Sequence, residues 1–158
     1  MAQALKDLFT NYWIVSAIAA WFAAQIVKIF TGIFRLREFS IRGMLFGTGG
    51  MPSSHTAAVC ALCTAFAVKD GFGSRGFAVS ALLCVVVITD AVGVRRETGK
   101  QSQALNSLLG HAENGKDGAQ FPERFRELIG HTPLQVACGA VLGVVVALLL
   151  GLILAMRG

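Results

Sequence analysis

The apolar stretch from Pro133 to Met156, PLQVACGAVLGVVVALLLGLILAM, decides the fold class of this chain. It has no ionised side chain and is long enough to cross the roughly 30 Å hydrocarbon layer of a bilayer, which takes about 20 mostly apolar residues. Trp13 to Phe34 and Phe77 to Val94 reach that length or nearly so, and a shorter segment, Ser54 to Val68, ends at Lys69-Asp70. The sequence therefore predicts an all-α membrane helix bundle with about four transmembrane helices and short interfacial helices.

Composition places the whole chain in the membrane class. Of its 158 residues, 54% are hydrophobic and 15% are charged, and the mean hydropathy is +0.63, which excludes an ordinary soluble domain. We interpret residues 1–158 as one membrane domain with a polar loop inserted at 97–130. The first apolar segment is too long for a signal peptide and is expected to be retained. All four cysteines lie in apolar segments, where we expect packing rather than disulfide or zinc chemistry.

Positive charge is unevenly divided between the two sides that four crossings would create. One side would hold Arg35, Arg37, Arg42, Arg95, Arg96, Lys100, Lys116, Arg124 and Arg126, and the other Lys6, Lys69, Arg75 and Arg157. The richer side is expected to be cytoplasmic, in a plasma-membrane protein with both chain ends on the far side. Its charge would attract anionic lipid or lipid phosphate. Nucleic acid is not expected as a partner, because no recognition motif accompanies the basic residues.

A glycine-rich turn leads into the second apolar segment, as Gly47-Thr48-Gly49-Gly50-Met51-Pro52-Ser53-Ser54-His55. Backbone amides of such a turn, Gly50 among them, can point at an anion. Pro52 can occupy a first helical position, and Ser53 or Ser54 can cap the helix. His55 could then give or take a proton at a bound phosphate. The alternative is a plain glycine turn before a helix that happens to begin with a histidine.

A second histidine stands before the last apolar segment. His131 is followed by Thr132-Pro133, which predicts an N-cap and a proline at the first helical position. With four crossings, His55 and His131 lie on the same side of the membrane. Two helix N-termini at one face could converge on a single phosphate, with their dipoles adding to the arginine charge.

Polar residues also interrupt the apolar segments. Four of them share one stripe of the first segment: Gln25, Lys28, Gly32 and Arg35. The stripe points toward a binding site, although Lys28 alone could equally snorkel to the interface.

In the third segment Asp90 precedes Arg95 and Arg96, which indicates either a buried ion pair that fixes packing or a part of the site. In the last segment the Gly139 and Gly143 pair favours close helix packing over chemistry.

The polar loop from Glu97 to Gly130 is predicted to contain two short helices, at Gln101 to Leu109 and at Pro122 to Ile129. Glu113 to Gly118 between them is typical of a turn. The loop could cover the site as a lid or be a solvated connector, and we do not expect His111 within it to be catalytic.

Taken in order, these motifs resemble the membrane phosphatases of the type 2 phosphatidic acid phosphatase superfamily, relatives of the vanadium haloperoxidases. The closest likeness is to the divergent branch of acid phosphatase/vanadium-dependent haloperoxidase-related proteins. The resemblance is carried by Ala24 to Lys28, Gly49 to Ala57, Asp90 to Arg96 and Gly130 to Val136.

The resemblance assigns a role to each motif. Lys28 and Arg35 would hold phosphate oxygens. The other candidates for substrate binding are Gly50, Ser53, Ser54, Arg95 and Arg96. His55 would be the general acid that protonates the leaving oxygen. His131 would be the nucleophile that forms a phosphohistidine. The family resemblance implies no metal or other cofactor.

The chain departs from the family pattern at several positions. Leu36 replaces a proline and Ser54 replaces a glycine. Gln135 stands where an aspartate is expected behind the nucleophile, so it can orient the ring but supplies no negative charge. Asp90 is the candidate to replace that charge.

The arginine expected shortly before the nucleophile is out of register, because position 125 is phenylalanine. Arg95 and Arg96 are the expected substitutes.

The function implied by the resemblance is hydrolysis of a phosphate monoester or diphosphate lipid. The distribution of positive charge predicts that this takes place at the cytoplasmic face. Phosphatidylglycerophosphate or phosphatidate suits that face better than a prenyl diphosphate released outside. The alternative is a non-catalytic membrane protein that keeps the fold and binds phospholipid or a partner. A transporter is disfavoured, because four helices with a one-sided polar cluster leave little room for a pathway.

Overall fold

The computed structural model describes residues 1–33, 51–113, 125 and 130–156, and all regular structure in those ranges is helical. The elements are α1 (Ala2–Thr10), α2 (Tyr12–Ile33), α3 (Ser54–Asp70), α4 (Arg75–Thr89), a π-helical turn (Asp90–Val94), α5 (Arg95–Glu113) and α6 (Pro133–Ala155). The predicted all-α class is therefore confirmed.

Three helical stretches are long and apolar enough to cross a membrane: Tyr12–Thr31, Arg75–Gly110 and Pro133–Ala155. They correspond to the first, third and fourth apolar segments of the sequence. The second segment forms α3, whose 17 residues fall short of a full crossing. Four crossings therefore remain a prediction.

Helix α3 is the centre of the bundle, because it packs along α2, α4 and α6, while α2 also packs along α6. The buried core consists of small side chains, namely Ala20, Ala24, Ala57, Ala61 and Ala147. Small residues bring helix backbones close together, which replaces the hydrophobic driving force that is missing in lipid.

The closest approach is between α6 and α3. A methyl group on Gly139 would strike the carbonyl oxygen of Ser53, and one on Gly143 would strike that of Ala57. The structure thus confirms that this glycine pair serves helix packing.

The opposite end of the bundle is closed by aromatic side chains. The Trp13 ring stacks on Phe66 with centroids 5.6 Å apart. The Lys69 ammonium lies 5.2 Å from the Trp13 ring and 5.8 Å from that of Tyr12. The Tyr12 hydroxyl donates to the carbonyl of Ala147 at 2.9 Å, which ties α2 to α6 at this end.

The polar segment after the third apolar stretch differs from its prediction. A separate short helix at Gln101 to Leu109 is wrong, since α5 begins at Arg95 and runs unbroken to Glu113 as a continuation of α4 and the π turn. The fall in hydropathy after Val94 marks the polar part of one long helix and not the end of a helix. The predicted helix at Pro122 to Ile129, apart from Phe125, lies outside the described residues.

Helix α1 was not predicted from the sequence. It has nine residues, too few for a clear periodic signal. Asn11 separates it from α2, and the Asn11 Oδ1 atom accepts a hydrogen bond from the Ile14 N–H at 3.2 Å, as a helix cap does.

Gly143→Ala is expected to destabilise the bundle by about 1–3 kcal/mol, because the added methyl group overpacks the contact with Ala57. The thermal unfolding midpoint in detergent measures the effect. Gly93→Ala is the matched control, since no atom of the described residues lies within 4 Å of its added methyl group. Equal midpoints for the two variants would contradict the close α3–α6 contact.

Candidate functional site

The N-terminus of α3 is tied to both neighbouring helices. The Lys28 Nζ of α2 donates to Ser54 Oγ at 3.3 Å. The Thr31 hydroxyl donates to the Met51 carbonyl at 2.8 Å. On the other side, the Ser53 N–H donates to the carbonyl of Gln135 at 3.0 Å. The start of α3 and the start of α6 therefore meet at one end of the bundle, as the sequence predicted.

Ser53 is the N-cap of α3. Its hydroxyl oxygen accepts from the Thr56 N–H at 3.4 Å and from the Thr56 hydroxyl at 2.9 Å. Pro52 precedes the cap, so the prediction that it opens the helix is wrong: the extended conformation of Ser53 makes Ser54 the first helical residue. Ser53 is fully buried, and its predicted contact with substrate stays a prediction.

Two backbone donors remain at this helix start. Helix geometry leaves the first N–H groups without an intrahelical acceptor. Ser53 and Thr56 satisfy theirs as described above, whereas no acceptor for the Ser54 and His55 N–H groups occurs in the described part of the chain. These two donors, with the helix dipole behind them, form a potential anion site.

Lys28 brings a buried ammonium group to the same place. Its side chain is 8% exposed and lies against Ser54, which is 3% exposed. Snorkelling to the interface is therefore excluded. Within residues 1–33, 51–113, 125 and 130–156, no carboxylate pairs with it. A buried cation with only a neutral partner is costly, so the site favours an incoming anion.

Gln135 holds the second histidine through a capping box. Thr132 caps α6 and Pro133 opens it, as predicted. The Gln135 N–H donates to the Thr132 hydroxyl at 3.3 Å, and the Thr132 N–H donates to Gln135 Oε1 at 2.9 Å. The same Oε1 lies 3.3 Å from His131 Nδ1.

This box determines which ring nitrogen of His131 carries the proton. The Thr132 N–H can only donate, so it fixes the Gln135 amide with its oxygen toward both neighbours. His131 Nδ1 must then be the donor in that pair. The lone pair is left on Nε2, where a nucleophile or base needs it.

The backbone of Gly130 and His131 packs against the π-helical turn and the residues that follow it. The His131 N–H donates to the Ala91 carbonyl at 3.1 Å. Gly130 has φ +98°, and a methyl group on it would lie 2.6 Å from the Arg96 backbone nitrogen and 2.8 Å from the Arg95 carbonyl carbon. Glycine is therefore required where the chain docks on this turn. π-Helical turns occur frequently at functional sites.

The contact of Gly130 with the backbone of Arg95 and Arg96 places Arg95 near His131, and Asp90 is paired with Arg95. Arg95 Nε and Asp90 Oδ2 form an ion pair at 2.5 Å. Of the two interpretations of Asp90, the buried ion pair is wrong, because the two side chains are 49% and 39% exposed. A role in the site stays a prediction. The carboxylate of Asp90 is bonded to Arg95 and not to His131. Arg96 is exposed, with no ion pair among the described residues.

The electrostatics of His131 reflect this arrangement. Burial lowers its pKa below the ordinary value of 6.5, the hydrogen bond with Gln135 opposes that shift, and the charges of Lys28, His55 and Arg95 lower the pKa further. His131 is therefore neutral at physiological pH. The groups around it are positive, which suits a phosphate more than a cation.

The remaining predictions concern Arg35, Gly50, metal binding and the polar loop. Arg35 and Gly50 lie outside the described residues. No group of three His, Cys, Asp or Glu among the described residues is arranged to hold a metal ion. The Asn106 side chain holds the backbone of Phe125 at 2.7 and 2.9 Å, which anchors one point of the predicted lid to α5.

Two supporting residues were missed by sequence reasoning. Thr31 lies three residues after Lys28 on the same face of α2, so its hydroxyl could have been placed with the site. Gly130 directly precedes His131, and a glycine there is a recognisable signal of a positive φ.

Comparison with known proteins identifies relatives for most of the chain. The model of the Divergent PAP2 family matches residues 9–146. An uncharacterized membrane protein of Bacillus subtilis (strain 168), YuiD, is 37% identical over 153 residues, covering 91% of this chain and 96% of that protein. No solved structure matches.

Gly130→Ala is expected to dislodge His131 from the π turn, because a side chain is strained at this φ and collides with backbone. The cost is about 1–3 kcal/mol. Thermal unfolding in detergent measures it, beside Gly93→Ala, a control in the π turn whose methyl group meets no atom within 4 Å. If Gly130→Ala were no less stable than Gly93→Ala, the close contact of Gly130 with the backbone of Arg95 and Arg96 would be incorrect.

Proposed function

The chain belongs to the Divergent PAP2 family, and on that basis we propose that it is a membrane-embedded lipid phosphatase working through a phosphohistidine. The observation that carries the proposal is the buried ammonium of Lys28, which has no carboxylate partner among the described residues and lies at a helix N-terminus. A phosphate supplies the missing negative charge.

Substrate binding uses donors from three elements. The proposed donors are Lys28 of α2, which contacts Ser54, the Ser54 and His55 N–H groups of α3, and Arg95 after the π turn. The charges of Lys28 and Arg95 both act on His131. Predicted contacts from Arg35, Gly50, Ser53 and Arg96 extend this set. Such preorganised donors stabilise the charge that develops on phosphoryl oxygens in the transition state.

Hydrolysis then takes two steps. His131 Nε2 attacks phosphorus, the bond to the leaving oxygen breaks, and the protonated form of His55, which the bound phosphate anion favours, gives its proton to that oxygen and becomes neutral. In the second step His55 takes a proton from water, the water oxygen attacks phosphorus, and the phosphorus–nitrogen bond breaks to release phosphate. Neither step needs a metal ion in this scheme.

Gln135 and Asp90 divide the role of the aspartate expected behind the nucleophile. Gln135 orients the ring but leaves the imidazolium form without a negative partner. Asp90 is the proposed source of negative charge, and it acts through Arg95, to which it is bonded. We expect a slower enzyme than one with a carboxylate at position 135.

The proposed substrate is a phosphorylated lipid of the cytoplasmic leaflet, such as phosphatidylglycerophosphate or phosphatidate. The charge count in the sequence supports this orientation. A plasma-membrane location is part of the proposal. The alternative function is non-catalytic binding of phospholipid or a partner. The neutral Gln135 behind His131 is the observation that favours it.

Phosphate release from purified protein in detergent tests the proposal. The panel is phosphatidylglycerophosphate, phosphatidate, a prenyl diphosphate and a soluble aryl phosphate. We expect release by the natural chain, and none above background for His131→Ala or His55→Ala. His111→Ala is a matched control expected to keep full activity. Equal release by the natural chain and His131→Ala would refute the mechanism, and binding without release on every substrate would favour the alternative.

The pH profile tests the neutral partner of His131. The natural chain should stay active below pH 6.5, because the lowered pKa keeps the nucleophile unprotonated there. Gln135→Glu preserves the capping box and adds a negative charge, which raises the pKa of His131. The acid limb of the rate profile should then move to higher pH, and kcat at pH 8 should rise. An acid limb that does not move would show that His131 does not limit the rate.

A further inference from the structure

A stripe of residues on α3 faces the cleft between α2 and α4. Phe66 defines this face, because its ring stacks on Trp13 of α2 and lies where a side chain on Gly76 of α4 would have to go. Residues three or four positions apart share a helix face. By that spacing, the other members of the stripe are Leu62, Ala58 and His55. The cleft therefore runs along α3 from His55 to Phe66.

The described helices do not cover this cleft along its length. The packing partner of α4 is α3, whereas α2 packs on α3 and α6. Ala58 and Leu62 are partly exposed although they lie in the central helix, whereas Ala57 and Ala61 beside them are fully buried. His55 at the head of the stripe is exposed. Ala58 and Leu62 thus form an apolar floor that neighbouring helices leave uncovered.

The two ends of the cleft differ in chemistry. At the His55 end lie the Lys28 ammonium and the first N–H groups of α3. At the other end the stacked rings of Phe66 and Trp13 close the cleft. The rise of 1.5 Å per helical residue makes the distance from His55 to Phe66 about 16 Å, roughly half of the hydrocarbon layer.

An anionic head and an apolar tail are what this shape accommodates. Phosphate at the cationic end leaves the substituent of the phosphate directed along the floor of Ala58 and Leu62. We propose that the cleft holds a hydrocarbon tail of the phosphorylated lipid, and that the Phe66–Trp13 pair limits how deep the tail reaches. The proposal rests on the proposed function and adds the tail as a recognised part of the substrate. A second copy of the chain is the competing occupant, and the oligomeric state of the variants below distinguishes it from a lipid tail.

A bulky side chain on the floor of the cleft should weaken binding of a lipid tail without changing the hydrolysis of a substrate that has no tail. Leu62→Trp should raise KM for a long-chain lipid phosphate about tenfold, the effect of losing contact with about two methylene groups. The same variant should hydrolyse a soluble aryl phosphate as the natural chain does, which also shows that it folds. Val141→Trp adds an equal ring to α6 at a position that is 64% exposed, outside the cleft, and should change neither substrate.

Removing the Phe66 ring, which closes one end of the cleft, should have the opposite effect on the preferred tail length. Phe66→Ala should shift the preference among saturated lipid phosphates toward longer tails, while Leu62→Trp shifts it toward shorter ones. Unchanged KM for lipids in Leu62→Trp, or an equal loss on lipid and soluble substrates, would overturn the proposal. A change of oligomeric state in Leu62→Trp but not in Val141→Trp would assign the cleft to a second copy instead.

Tail position can be measured without turnover, so that failure of the proposed function leaves a separate answer. In a Trp21→Phe background Trp13 is the one remaining tryptophan. An alkyl phosphate brominated at its chain end should quench the fluorescence of Trp13, and the unbrominated alkyl phosphate should displace it and restore the signal.

An alkyl alcohol with the same brominated chain is the control for quenching from the surrounding detergent, because it has no anionic head for the Lys28 end of the cleft. It should quench Trp13 less than the alkyl phosphate does at equal concentration. Equal quenching by the two compounds, or no quenching at saturating alkyl phosphate, would overturn tail binding in the cleft whether or not the chain hydrolyses phosphate.

Discussion

The close approach of α6 to α3 is the constraint on which the rest of the structure depends. Gly139 lies against the backbone of Ser53, and Gly143 lies against that of Ala57. At this separation the Ser53 N–H reaches the carbonyl of Gln135. The packing contact in the membrane segment therefore sets the distance between the two helix starts that carry the histidines. Helix packing and the proposed chemistry have the same origin.

A second constraint is the concentration of positive charge at this end of the bundle. Lys28 is buried, and no carboxylate among the described residues pairs with it. Arg95, the other cation that acts on His131, is paired with Asp90. A buried cation without a negative partner is costly, and this cost is the reason for proposing a phosphate as the ligand. The neutral Gln135 fits this logic, because it orients His131 without cancelling any of the positive field.

Most residues of the candidate site could be predicted from the order and spacing of motifs along the chain. The contacts that hold those residues in place could not. Thr132 and Pro133 are local signals, so the start of α6 was correct to the residue. Pro52 failed as a helix start because Ser53 caps more effectively, and local sequence allowed either. The continuation of α5 from α4 was missed because hydropathy reports the surroundings of a helix and not its ends.

The sequence by itself determined the class of protein, the three long apolar helices, the glycine packing pair and the identity of the charged and histidine groups. These properties depend on composition and on spacing within one element. Only the tertiary structure decided that Lys28 is buried against Ser54. It likewise decided that Asp90 is bonded to Arg95, and that Gly130 docks on the π turn. Those outcomes depend on which helix faces meet, and the distances between faces are set by packing across residues far apart in the chain.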